Sequence, residues 1–295
     1  MNWSWLFDAS ICFGDDPQST WTVGPALLLP MLTGAMLYGT GAFRLWRRSN
    51  RGRGTRLRDA GLFTAGWLPL VLALVTPLHW LSQRVFSAHM IEHEIMMVIA
   101  APLIAASAPG AAMAWALPRS MLGGTGSLLR NPWMRSLWSY IARPGVATLL
   151  HAIAIWGWHV PGFFEAALRE GPLHYLQHAS FLASALLFWW VMLPHRSGTR
   201  LGMSVLHLFL TSLHTSFLGV LLLFSPRLWY PSNTLTPELW GLTALEDQQL
   251  AGLLMWVPAG LIYGAAALWV AGLWIRESGR RQIDQSGGSY ALRTR

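Results

Sequence analysis

Two pairs of histidines, each spaced by four residues, are the part of this sequence best suited to chemistry: His89 with His93, and His174 with His178. On a helix, residues four apart stand on one face, so each pair offers two imidazoles on adjacent turns. Two such pairs on facing helices are an arrangement by which a bundle binds a metal ion. The first pair lies in the run from Ser87 to Met97, which also holds Glu92, Glu94, Met90 and Met96. Imidazole together with thioether suits copper in either oxidation state, and Met90, Met96, Met97 and Met255 are the candidates for soft ligation. Bis-histidine haem is the competing chemistry. No Cys-x-x-Cys-His segment exists, which excludes covalent c-type haem.

The elements that must position these residues are membrane helices. Hydrophobic residues make up 53% of the 295 positions and charged residues 12%, with a mean hydropathy of +0.38, which removes the chain from the soluble globular class. Crossing ~30 Å of hydrocarbon takes about 20 apolar residues, and seven runs qualify: 22–43, 60–81, 86–107, 145–164, 174–193, 201–224 and 248–275. The expectation is an all-α, polytopic membrane bundle of seven transmembrane helices over 22–275, preceded by an extracytoplasmic segment, 1–21, and followed by a basic tail, 276–295. The first twenty residues hold Asp8, Asp15 and Asp16 but no arginine, so they do not read as a secretory signal. Cys12 is the only cysteine, which leaves no intrachain disulfide.

All 21 basic side chains are arginine, and their placement gives them a meaning other than nucleic-acid binding. Eighteen fall in the joins 44–59, 108–144 and 194–200 and in the tail, against three (Arg84, Arg169, Arg227) in the alternate set. That bias puts the amino terminus outside and the carboxyl terminus in the cytoplasm. The basic charge then attracts anionic lipid of the bilayer.

With that topology, six of the ten histidines (His79, His89, His93, His159, His174, His178) fall at the outer helix ends, with Asp247, Glu92 and Glu94 at similar depth. His151 and His207 lie toward the cytoplasm, and His214 near mid-depth. Each feature has a plainer reading. A lone histidine on an apolar face is usually a satisfied core residue, methionines at helical spacing usually pack, and the two glutamates face water or headgroups. Asp247 caps the last span. The stretch 128–141, with Trp133, Trp138 and Tyr140, reads as an interfacial amphipathic helix. Enzyme readings lack parts: no Gly-x-Ser-x-Gly, phosphate loop or dinucleotide fingerprint appears, and Met97 stands where a zincin needs histidine.

Four segments together resemble the CtaG-like family of bacterial cytochrome c oxidase assembly factors over about residues 22–275. They are His89-Met90-Ile91-Glu92-His93 with Ala101-Pro102; Trp158-His159-Val160-Pro161; His174-Tyr175-Leu176-Gln177-His178 with Phe188-Trp189-Trp190; and Asp247 through Trp256. The resemblance implies a multi-pass plasma-membrane protein, not an enzyme, that matures a haem-copper oxidase by delivering copper to an oxidase subunit. His89, His93, His174 and His178 are then the expected ligands. His79, His159 and Asp247 are supporting or alternate partners, and accessible outer helix ends admit the metal. A haem-handling protein and a cofactor-free scaffold or permease are the other readings.

Overall fold

Proline decides where several of the apolar runs break. The computed structural model describes residues 21, 24–48, 57–118, 120, 130–193, 201–231 and 241–293, and their regular structure is entirely helical. Cys12, His195, nearly all of the segment 1–21 and the joins 49–56, 121–129 and 194–200 lie outside the described residues. After α1 (Pro25–Arg48), α2 (Leu57–Val75) stops before Pro77, whose missing N–H suits it to a first helical turn. The Thr76 hydroxyl accepts from the Leu78 N–H at 3.4 Å and caps a separate short helix, α3 (Pro77–Ser82). The run expected as one span over 60–81 is therefore two helices, and His79 rides on the second.

The next run remains continuous but is not uniform. α4 (Phe86–Glu94) passes into a π-helical segment, Ile95–Ala100, and then α5 (Ala101–Ala106), with the Ala101 N–H bonded to the Met96 carbonyl five residues back. Such widened turns recur at functional sites, and this one begins two residues after His93. The Trp189 indole donates to the Met97 carbonyl at 3.0 Å within it. Met96 and Met97, candidates for soft ligation, lie in this segment and are buried in the apolar core.

α6 (Gly110–Ala116) packs on α1, and α7 (Pro132–Ile141) has no buried residue, with Trp133, Trp138 and Tyr140 all exposed as an interfacial helix requires. The run 145–164 divides at Pro161 into α8 (Pro144–Trp158) and α9 (Pro161–Arg169), bent by 74°. α10 (Gly171–Met192), α11 (Leu201–Leu223) and α12 (Ala244–Arg293) complete the chain. α12 takes in most of the stretch expected as a tail.

Among the described residues, five helical stretches are long and apolar enough to cross a membrane, or six if the bent α8–α9 pair is one span. The seventh expected span is α10, whose 22 residues suffice in length but include His174, Gln177 and His178 in the first turns. Leu261, Leu268 and Ile275 point outward while Phe181, Trp189 and Leu218 are buried, as a lipid-covered bundle demands.

α11 and α12 pair most extensively, and glycine makes the approach possible. A Cβ on Gly252 would stand 2.6 Å from both the Gly219 carbonyl oxygen and the Leu223 nitrogen. Gly252→Leu is expected to cost at least about 1–3 kcal/mol by overpacking, read as a lowered thermal midpoint in detergent. An unchanged midpoint would refute the contact.

Candidate metal centre

Both histidine pairs meet at the end of the bundle where α4, α10 and α12 begin and where α2 and α8 end. One turn of α4 separates the His89 and His93 rings by 4.3 Å, and one turn of α10 separates His174 and His178 by the same distance. Across the helices, His93 and His178 lie 5.3 Å apart and His89 and His174 5.8 Å. α3 brings a fifth ring: His79 stands 5.4 Å from His174 and 5.7 Å from His178. Ligand atoms of His79, His174 and His178 all lie within 4.8 Å of one another, and so do those of His89, His93 and His178.

The cluster is buried. His89 and His174 expose no surface, and His178, the most accessible of the five, exposes 8%. The expected open access at the helix ends is therefore not what the fold provides. Phe86, Phe164 and Tyr230 pack ring to ring at 4.4–5.2 Å and cover His89, which contacts Phe164 at 5.1 Å. Burial raises the Tyr230 hydroxyl above its ordinary range and keeps it a donor, and it gives its proton to the His159 carbonyl at 2.7 Å.

Hydrogen bonds orient several rings and leave one nitrogen of each free. The His89 Nδ1–H donates to the Ser82 carbonyl at 3.1 Å and the His159 Nδ1–H to the Ile155 carbonyl at 2.7 Å. The Nε2 atoms of His89, His93, His159, His174 and His178 are all buried without a hydrogen-bond partner. A buried polar group left unpaired costs about 1–3 kcal/mol, so five at one place need a reason. A cation offers one, because a metal-bound imidazole typically donates its other N–H to a carbonyl or carboxylate. His159 packs beside the cluster on Phe181, whose ring also contacts His93 at 4.7 Å.

Glu92 does not face water. It is fully buried, and its Oε1 accepts from the His79 Nδ1–H at 2.6 Å, while Gln83 Nε2 donates to His79 Nε2 at 3.2 Å. A carboxylate behind an imidazole fixes its tautomer and increases its basicity. Gln177, between His174 and His178 in sequence, is buried with neither amide atom bonded. The signal for Glu92 was its position, three residues after His89 on the same helix face.

Asp247 braces the site from another helix. Instead of capping α12, its carboxylate accepts from the Phe86 and Ser87 N–H groups at 2.7 and 3.2 Å and so caps α4. Gln248 accepts from the Trp229 N–H at 2.6 Å and donates to the Arg227 carbonyl at 3.1 Å, which pins the loop carrying Tyr230. Asp247→Ala should cost about 0.5–2 kcal/mol in stability and weaken metal binding ~10–100-fold through the displaced His89 and His93. Unchanged metal affinity in that variant would show that the cap does not position the pair.

The other described histidines have partners of their own. His151 bonds Ser184 Oγ and Tyr263 Oη at 3.1 Å each, His207 bonds Thr148 Oγ1 at 3.1 Å, and Trp156 Nε1 donates to His214 at 3.3 Å.

A family model described as cytochrome c oxidase caa3 assembly factor matches residues 36–277, which contain the whole cluster and its braces. No curated protein and no solved structure matches the chain.

Proposed function

This chain belongs to the cytochrome c oxidase caa3 assembly factor family, and from that premise we propose that it binds a copper ion in the histidine cluster and passes it to a subunit of the oxidase. The observation that supports this reading is the set of buried, unpartnered Nε2 atoms converging from α4 and α10. His89, His93, His174 and His178 are the ligands, with His79 and His159 able to enter the coordination sphere. Asp247 acts through the α4 cap and not as a ligand. An imidazole donor set accepts copper, zinc, iron or nickel, and among these a haem-copper oxidase requires copper as a part to be installed. The copper is cargo, and no covalent chemistry is asked of the protein.

The topology completes the proposal. With α10 and the bent α8–α9 pair counted, seven spans would put the termini on opposite sides, and the arginine bias supports an outer amino terminus, with the cluster near the outer face of the plasma membrane. An ion is there on the side from which a periplasmically exposed copper centre is filled. A macrocycle would need the space that the five rings already occupy, the centroids of neighbouring rings being 4.3–6.3 Å apart. The protein purified from native membranes is expected to contain about one copper per chain by elemental analysis and to show no Soret band. A Soret band, or metal-free protein from copper-replete cells, would overturn the assignment.

A further inference from the structure

The five imidazoles form two triads, not one shell. His79, His174 and His178 make the first, and His89, His93 and His178 the second, each with all donor atoms within 4.8 Å. Only His178 is common to both. The single unpartnered nitrogen identified on it is Nε2, so that atom completes one triad at a time. A three-imidazole site holds an ion at about 2.0–2.1 Å from each nitrogen, and no group of three or more such donors among the described residues joins His79 or His174 to His89 or His93.

We propose that the cluster provides two overlapping three-histidine positions for one cation, and that the ion passes between them while His178 remains the shared ligand. This rests on the copper-binding reading above and adds a route within the site. His178 is also the most exposed of the five rings, at 8% against 0–3% for the others, which puts the shared ligand on the side from which an ion enters. Its ring meets that of His93 at 87° and that of His174 at 53°, and it reaches both triads from one conformation.

The two positions differ in surroundings. The first is backed by the Glu92 carboxylate through His79, whose Nε2 must leave the Gln83 amide to bind the ion. The second is walled by Phe164 against His89 and Phe181 against His93. In a low-dielectric interior the nearby carboxylate favours the higher-charged ion at the first position. A hand-off site gains from this: neither position must bind so tightly that the ion cannot leave.

The test uses cobalt(II), whose visible spectrum reports coordination, with the full-length protein in detergent and its fold checked by circular dichroism. His174→Ala removes only the first triad and His93→Ala only the second. Each variant is expected to bind one cobalt(II), with distinct spectra whose weighted sum reproduces the parent spectrum, while His178→Ala binds at least ~10-fold more weakly than either. The glutamine variants at the same positions serve if an alanine variant does not fold. Loss of binding in both single-triad variants to the level of His178→Ala would establish one undivided site and end the two-position proposal, with copper binding itself intact. A parent protein that binds neither copper nor cobalt would end both.

Discussion

Cells carrying His89→Ala with His93→Ala should lose oxidase activity and oxidase copper while the protein itself inserts in the membrane at normal levels. The two effects separate for a physical reason. Removing two rings leaves a void, but it also removes three buried nitrogens that have no hydrogen-bond partner. Cavity formation destabilises, whereas relief of an unpaired polar group returns about 1–3 kcal/mol each, so the net change in folding is small. Metal affinity has no such compensation. Loss of a group that merely orients a ligand costs ~10–100-fold, and loss of two ligands must exceed that. The measurements are oxygen consumption and elemental copper in isolated membranes, with immunodetection of the chain. Normal oxidase copper in the double variant would refute copper delivery through this pair.

The second large effect is expected at His79, and it is one of stability. Its Nδ1–H is the identified partner of the buried Glu92, whose other oxygen, Oε2, has none. Breaking a buried pair by deleting one member costs about 3–5 kcal/mol, because the remaining charge stays in a low-dielectric interior. His79→Ala should therefore lower the thermal midpoint more than the His89/His93 double change does. Adding Glu92→Gln to His79→Ala should recover most of that loss, since the amide replaces the stranded carboxylate. If the two changes are additive in a double-mutant cycle, the pair is not coupled and the role assigned to Glu92 fails.

Much of this arrangement was legible in the sequence because it depends on local spacing. The four-residue periods of His89/His93 and His174/His178 place each pair on one helix face whatever surrounds it, and both pairs do meet. The apolar runs were equally visible. Their breaks at Pro77 and Pro161 had a local signal in the prolines, but hydropathy alone read through them and made one span of α2 with α3 and one of α8 with α9. The π-helical turn after Glu94 had no such signal, since nothing in Ile95–Ala100 departs from an ordinary apolar helix.

By itself the sequence determined the helical membrane class, the family likeness and the two histidine pairs, all of which follow from composition and from periods shorter than two turns. Tertiary structure alone decided that His79 joins the cluster, that Glu92 turns inward to hold it, and that Asp247 reaches 160 residues back to cap α4. It also decided that Phe86, Phe164 and Tyr230 close over rings expected to be open. These are contacts between side chains from separate helices, and their partners depend on how the bundle packs, which no local spacing encodes.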